Sequence, residues 1–318
     1  MRDEIISHNL ALEFVRVTES AAIAASEWIG RGDKNAADQA AVNAMRSRLN
    51  QIEFQGRIVI GEGEKDEAPM LYTGELVGMS KTPQMDIAVD PLECTDSVAY
   101  GRYNAMTVIA AGSKDSLLHA PDMYMEKIAV GSAAASVIDL DAPVATTIKA
   151  VAKALGKDKR EVTVMLLDRE RHTKLVEEIR ATGARVRLIT DGDVAGAIAP
   201  NLPTSPVDIL MGIGASTEAV LAATAIRIMG GQILARFAPR DQRDSHALKG
   251  AGITNPKKIY RAEDLAKGKD LTFTATGVID GPLLDGIIVK GNTTITHSLV
   301  LRGLSGTTRY ITAEHHNE

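Results

Sequence analysis

Val162-Thr163-Val164-Met165-Leu166-Leu167 is an apolar, partly β-branched run. It is followed by an amphipathic stretch over 171–182, a second strand-like run over 185–190, a short helical stretch over 194–199 and a third run over 209–213. Runs of five or six residues suit strands buried on both faces, and the segments between them carry the 3.6-residue period of helices. The order is β-α-β-α-β, which predicts right-handed crossovers packing helices on a parallel sheet. The fold class read from this stretch is α/β.

Working outward from it, the grammar changes near residues 156–158. On the amino-terminal side, Leu10, Phe14, Val17, Ala21, Ala25 and Trp28 recur at three- and four-residue spacings, predicting a helix over 10–29 that Gly30 and Gly32 stop. A second helix is expected to start near Asn35 as its N-cap, with Ala40, Ala44, Met45 and Leu49 on one face. Strand-like runs over 57–60 and 86–90 lead into acidic turns marked by Gly or Pro. Those over 106–111 and 125–130 have no helical segment between them, so an antiparallel or mixed sheet is expected there. The expected division is therefore an α+β domain over 1–150 and an α/β domain over 151–318. Beyond residue 231, a polar stretch over 245–269 precedes four strand-like runs over 271–275, 286–289, 294–302 and 308–313 that complete a sheet.

Composition narrows the function classes. The chain has 318 residues, a hydrophobic content of 45%, charged residues at 24% and a net charge of -5, so it reads as globular rather than disordered. The acidic balance and the 3% aromatic content argue against nucleic acid as a partner, since phosphate backbones call for basic patches and single strands for stacking rings. The single cysteine, Cys94, forms no internal disulfide and suits a reducing cytoplasm. Neither an apolar leader after Met1-Arg2-Asp3-Glu4 nor an apolar run of about 18 residues is present, so no membrane is expected.

Three acidic groups stand out. Gly61-Glu62-Gly63-Glu64-Lys65-Asp66-Glu67 gathers four carboxylates at a strand end, and a hard divalent cation is one way to hold such groups together. The plain alternative is a solvated acidic turn. In Asp90-Pro91-Leu92-Glu93-Cys94-Thr95, Pro91 suits a first helical position, so one turn would bring Asp90 and Glu93 to the same side; equally, Asp90 would only cap that helix. Asp38, expected in the first turn of a helix, is a third candidate, with dipole complementarity as its ordinary explanation.

In the second half, Gly212-Ile213-Gly214-Ala215-Ser216-Thr217-Glu218 ends a strand and opens a helix, a setting for an anion. It is no dinucleotide fingerprint, because Thr217 stands where a third glycine is required. Asp168-Arg169-Glu170-Arg171-His172 and Asp191-Gly192-Asp193 lie at carboxyl ends of strands, where open sheets bind ligands. Arg169 and Arg171 suit a phosphate and the two aspartates suit sugar hydroxyls, with ordinary surface pairing as the alternative. His172 is expected to be a solvated helix-start histidine, with a part in a phosphate site as the alternative, and Tyr124 a sheet-packed tyrosine, with its hydroxyl offered to a ligand as the alternative.

Gly30-Arg31-Gly32-Asp33-Lys34-Asn35, Ile60-Gly61-Glu62-Gly63-Glu64, Asp86-Ile87-Ala88-Val89-Asp90-Pro91, Ala120-Pro121-Asp122-Met123-Tyr124-Met125 and Asp191-Gly192-Asp193-Val194 together resemble the class II, GlpX-type fructose-1,6-bisphosphatases, in order and spacing over nearly the whole chain. The resemblance implies a layered α/β/α/β/α sugar-phosphatase fold related to the lithium-sensitive inositol monophosphatases. It also implies Mg2+- or Mn2+-dependent hydrolysis of the 1-phosphate of fructose 1,6-bisphosphate in gluconeogenesis, with sedoheptulose 1,7-bisphosphate as a further substrate of some relatives, and a homodimer or homotetramer. Carried over, the metal ligands are Asp38, Glu62, Asp90, Glu93 and Glu218. Substrate contacts are Glu93, Cys94, Thr95, Tyr124, Arg169, Glu170, Arg171, Asp191, Gly192, Asp193 and the backbone at Ala215. Thr95, with Asp66 or Glu62, would orient and deprotonate the attacking water, and Lys34 would add positive charge near the phosphate.

Two departures from that family pattern matter. Cys94 replaces the usual glycine of Asp-Pro-x-Glu-Gly-Thr, and if the backbone there needs positive φ or close approach, phosphate affinity should fall. Ser216-Thr217-Glu218-Ala219 also lacks the usual Pro before the acid and Gly after it. An inositol-phosphate phosphatase and a phosphosugar-binding regulator with little turnover are the alternatives the sequence leaves.

Overall fold

The computed structural model describes residues 2–63 and 70–316, with side chains from residue 10 onward. In chain order the elements are α1 (Arg2–Ser26), α2 (Lys34–Leu49), β1 (Gln55–Ile60), β2 (Leu76–Val77), β3 (Gln84–Glu93), α3 (Thr95–Tyr100), β4 (Ala105–Ser113) and β5 (Tyr124–Val130). There follow α4 (Val144–Leu155), β6 (Thr163–Leu167), α5 (Thr173–Ala181), β7 (Arg185–Ile189), α6 (Asp193–Ile198), β8 (Ile209–Ala215), α7 (Ser216–Ile228) and β9 (Gln232–Phe237). The chain continues through α8 (Gln242–Gly250), β10 (Tyr260–Arg261), α9 (Ala262–Leu265), β11 (Leu271–Ile279), β12 (Ile288–Lys290), β13 (Thr293–Arg302) and β14 (Thr307–His316). Helices and mixed sheets together give the α/β class expected.

Two compact units result: unit 1 is Met1–Leu117 with Lys267–Glu318, and unit 2 is Leu118–Ala266. These are not the halves 1–150 and 151–318. The reason lies in strand pairing, which an apolar pattern does not declare: β5 pairs with β8 and β9, while β11 returns to pair with β4.

Unit 1 is built on an eight-stranded sheet in the order β12-β13-β11-β4-β3-β1-β2, with β14 on β13; β1 and β3 are parallel and the other pairs antiparallel. Phe14, Val17 and Ala21 of α1 and Met45 and Leu49 of α2 bury their apolar faces with Phe54, Ile58 and Ile87. Phe14 and Phe54 meet edge to face at 5.6 Å. The turn before α2 is held by Gly30 N-H and Gly32 N-H, which donate to the carbonyls of Val98 and Ala99 on α3. Both glycines have positive φ. The N-cap of α2 is Asp33 rather than Asn35: its carboxylate accepts from Ala36 N-H at 3.0 Å. Asp38 therefore sits beyond the first turn, where the helix dipole gives it little support.

Unit 2 carries a six-stranded sheet in the order β10-β9-β5-β8-β6-β7. The strands of the β-α-β-α-β run are parallel, β6 to both β7 and β8, as the sequence predicts. Ile148 and Val151 of α4 and Ile179 of α5 pack with Val164, Leu166 and Ile209 of the sheet. Among the described residues, no helix is long and apolar enough to cross a membrane.

Candidate active site

In unit 1 the acidic candidates converge in part. Glu62 follows β1 in a turn where its N-H donates to Leu71 carbonyl at 3.0 Å and Thr73 N-H donates to Gly63 carbonyl at 2.9 Å. Gly61 is obligatory here, because a Cβ on it would lie 1.9 Å from the Leu71 carbonyl oxygen. This turn brings the Glu62 carboxyl into a hydrogen bond with that of Asp38 on α2. Burial, then the Asp38 charge and that hydrogen bond, push the Glu62 carboxyl up to about 7. Burial also raises Asp38, less the lowering effect of its bond with Glu62. Two carboxyls sharing one proton is the state expected of hard oxygen donors brought together without a cation. Such a donor set fits Mg2+ or Mn2+.

Asp90 and Glu93 lie at the carboxyl end of β3, reached by another route than the one expected. Pro91 does not open a helix; β3 continues to Glu93, and its register with β4 shifts between Asp90 and Glu93. Asp90 caps its own bulge, its carboxylate accepting from Leu92 N-H at 3.1 Å, and Glu93 is buried. Among the described residues, no three His, Cys, Asp or Glu side chains form a group able to hold a metal ion. Asp66, with Glu64, Lys65 and Glu67, lies outside the described residues.

Helix α3 begins at Thr95, whose hydroxyl donates to the Leu92 carbonyl at 3.1 Å. Its N-cap is Cys94, at φ 70° and ψ 50°, the left-handed conformation that favours glycine. The thiol accepts from Asn104 Nδ2 at 3.7 Å. The positive φ suspected from the sequence is therefore present, and cysteine adopts it. Lys34 stands beside this helix, its ammonium 3.7 Å from the Asp96 carboxylate in an exposed pair.

Unit 2 assembles the other candidates. Arg171 reaches back to the Ile213 carbonyl with Nε and Nη2 at 3.2 and 2.9 Å, and its guanidinium lies 4.6 Å from the Tyr124 ring centre. Arg240 covers the same ring at 4.8 Å and is itself held by a two-point contact with Asp244. Tyr124 is thus not simply packed on the sheet: two cations stack on it, each with donors left for an anion. Arg240 was invisible in the sequence, more than a hundred residues from Tyr124 and outside any motif. Arg169 pairs with Asp191 rather than with Glu170, which is exposed in a 3-10 turn.

His172 is not solvated. It is buried, with Nδ1 2.7 Å from the Leu167 carbonyl and Nε2 accepting from Ile213 N-H at 2.8 Å. These partners place the proton on Nδ1, and burial, ahead of the neighbouring arginines, lowers its pKa. The ring clamps the Arg169–Arg171 turn to β8. Gly212 at φ 131° leaves room for it, since a Cβ would lie 3.0 Å from Nε2.

Asp193, expected to meet a sugar hydroxyl, turns inward to Lys127. The ammonium of Lys127 donates to Asp193 Oδ2 at 2.5 Å and to the Ala215 carbonyl at 2.9 Å, and both side chains are buried. Glu218, third residue of α7, lies beside this pair and accepts from Thr217 Oγ1 at 2.8 Å. Burial first, then the Asp193 charge, raise its pKa, while Lys127 lowers it. Lys127 sits mid-strand in β5, and nothing in the sequence marked it. Gly192, at φ 91°, is the N-cap of α6 and leaves Asp191 half exposed.

Unit 1 thus carries a carboxylate pair of hard oxygen donors at a strand end, and unit 2 carries guanidiniums at strand ends. The chain belongs to the bacterial, GlpX-encoded fructose-1,6-bisphosphatase family, whose model matches residues 8–315. It is 47% identical over 319 residues to the fructose-1,6-bisphosphatase class 2 of Haemophilus influenzae, covering 96% of each chain. It is 48% identical over 320 residues to fructose-1,6-bisphosphatase 1 class 2 of Escherichia coli K12, covering 96% of this chain and 95% of that protein. An extragenic suppressor from Pyrococcus furiosus shares 13% identity at a TM-score of 0.34, over 62% of this chain and 71% of that one.

Proposed function

We propose that this chain hydrolyses the 1-phosphate of fructose 1,6-bisphosphate to fructose 6-phosphate and phosphate, with Mg2+ or Mn2+ as cofactor. The role is gluconeogenic, in the cytoplasm, and sedoheptulose 1,7-bisphosphate is a second substrate. Family membership supports the substrate. The observation that carries the metal dependence is the Asp38–Glu62 pair, two carboxyls that only a proton or a cation reconciles. Asp38 and Glu62 hold the cation, with Asp90, Glu93 and Glu218 as further ligands carried over from the family. When bound, the cation neutralises phosphoryl oxygens and lowers the barrier to attack by water. Glu62, freed of its proton, accepts the proton of the attacking water, with Asp66 as the other candidate, while the Thr95 hydroxyl orients that water and Lys34 adds positive charge. Arg169 and Arg171, the latter fixed by the Ile213 carbonyl and the Tyr124 ring, bind the anionic substrate.

The conformation of Cys94 supports turnover over mere binding. It follows the left-handed path open to glycine, at a cost of about 1–2 kcal/mol rather than by rerouting the backbone. The test is phosphate release from fructose 1,6-bisphosphate with Mg2+ or Mn2+, beside chelator and Glu62→Gln controls. Release that disappears in both controls supports the proposal; release that survives chelation refutes metal dependence. Failure to release phosphate from this substrate while an inositol phosphate is cleaved refutes the specificity.

A further inference from the structure

The segment that follows β9 brings a second guanidinium to the strand ends of unit 2. Tyr124 opens β5; its register partner is Ala215, and its carbonyl accepts from Ala238 N-H at 2.8 Å. It therefore stands at the carboxyl ends of β8 and β9, where open sheets bind ligands. Arg171 reaches its ring from the turn after β6, and Arg240 from two residues beyond Ala238.

Arg240 is held in place. Its backbone N-H and Nε both donate to Asp244 Oδ2 at 2.9 Å, and Nη2 donates to Oδ1 at 3.2 Å. Asp244 is buried, and its own N-H donates to Asp241 Oδ1 at 2.9 Å, which fixes the carboxylate within the first turn of α8. An ordinary surface ion pair leaves both side chains in water and gains little. Here the carboxylate is enclosed while the Arg240 side chain stays 58% exposed, so the pair orients a guanidinium towards solvent.

Arg171 follows the same plan, with Nε and Nη2 committed to the Ile213 carbonyl. In both residues Nη1 makes no hydrogen bond among the described residues. Two guanidiniums thus lie 4.6 and 4.8 Å from one ring centre, with Asp244 the carboxylate bonded to either. Like charges so near each other repel, and an anion with several acceptor oxygens relieves that repulsion. A terminal phosphate has three such oxygens and suits guanidinium forks. We propose that Arg240 is a specificity-determining residue: with Arg171 it binds the phosphate that stays on the sugar, so that unit 2 selects a sugar bisphosphate over a monophosphate. This rests on the reading of the substrate as fructose 1,6-bisphosphate, whose 6-phosphate is the one retained.

Fructose 6-phosphate, which carries the retained phosphate alone, is the probe. Calorimetry on the full-length chain with Mg2+ should show it binding with a Kd of about 1 mM or below. Arg240→Gln should weaken that binding by roughly 10–100-fold, the weight of a hydrogen bond to a charged group. Asp244→Asn separates a held fork from a general field. Removing a negative charge would tighten an anion if the field alone acted, whereas loss of the clamp on Arg240 should weaken it. In turnover of fructose 1,6-bisphosphate, Arg240→Gln should raise KM while kcat changes by less than about threefold. Thermal melts check that both variants fold, and the exposed Arg240 carries the test if Asp244→Asn does not. The proposal is overturned if the native chain does not bind the probe, if Arg240→Gln leaves binding unchanged, if Asp244→Asn tightens it, or if the loss falls on kcat. Binding that depends on Arg240, without phosphate release from fructose 1,6-bisphosphate, supports the anion site and refutes the reaction assigned above.

Discussion

Each unit draws two carboxyl groups together, and the two differ in what stands beside them. In unit 2, Asp193 and Glu218 share the neighbourhood of Lys127, whose ammonium bonds Asp193 and lowers the pKa of Glu218. In unit 1, Asp38 and Glu62 have each other, and among the described residues no cation offsets them. Burial raises carboxyl pKa values in both places, so the difference is not depth but counter-charge. In unit 2 the chain itself supplies a counter-charge, Lys127. The unit 1 pair is completed by a proton, or by the divalent cation proposed to replace it.

The hardest blow to this contrast is Glu62→Gln, which leaves a single carboxylate, Asp38, with no like charge beside it. It should lower kcat for phosphate release by roughly 10²–10⁴-fold, the usual contribution of a group that moves a proton in the rate-limiting step. The same variant should melt no lower than the native chain in chelator at pH 8, because a repulsion has been removed. A variant that loses stability as well as activity would mean the carboxylate is a structural anchor.

Lys127→Met attacks the other side. It strands Asp193 in the interior, which costs about 3–5 kcal/mol when one member of a buried pair is removed. Chemical denaturation should show that loss, and Lys127→Met/Asp193→Asn should recover part of it. If the single change is neutral, the ion pair does not hold unit 2 together.

The pH dependence of the metal-free chain sharpens the contrast further. Glu62 is raised from the ordinary glutamate range to about 7, and Asp38 is raised too, so between roughly pH 4.5 and 7 the folded chain binds more protons than the unfolded one. This contribution to stability is fully present at the acidic end and is lost as pH climbs through 7. Melting temperature in chelator should fall across that window, and Mn2+ or Glu62→Gln should flatten the slope. A slope that survives Glu62→Gln would place its origin elsewhere.

The smallest effect concerns the left-handed residues that open a helix in each unit, Gly192 before α6 and Cys94 before α3. Cys94→Gly should remove the strain in unit 1 and raise stability by up to about 1 kcal/mol, once the greater freedom of glycine in the unfolded chain is set against it. Thermal melts should show this rise; a fall would mean that the Asn104 contact to the thiol outweighs the backbone.

Local features were legible in the sequence. The β-α-β-α-β run declared itself because buried parallel strands are continuously apolar while their crossovers keep a helical period. Glu62 stood out because Gly61 and Gly63 flank it at a strand end, and Gly61 proves necessary where the Leu71 carbonyl comes close. The positive φ at Cys94 was anticipated from the displaced glycine. What depended on remote pairing was not legible. The two compact units divide the chain elsewhere than near residue 150, because β5 reads the same in sequence whether it joins β4 or β8. Asn35 and Asp33 are both good caps, and only the hydrogen bond to Ala36 distinguishes them. His172 looked like a surface residue because the carbonyl and N-H that hold it come from Leu167 and Ile213, backbone groups that every residue possesses. Lys127 and Arg240 lacked any signal, since a buried lysine or a stacked arginine is defined by its neighbours in space.

The return of the chain to unit 1 has a consequence during synthesis. β4 is apolar and buried along almost its whole length, and one edge of it waits for β11, roughly 160 residues downstream. At ribosomal elongation rates that is a delay of roughly 10–30 s. Unit 2 is continuous in sequence and emerges entire within the interval, so it is free to fold first. A nascent chain therefore carries a finished second unit alongside a half-built first one with a sticky strand exposed, and this is the stage at which chaperones would bind it most tightly.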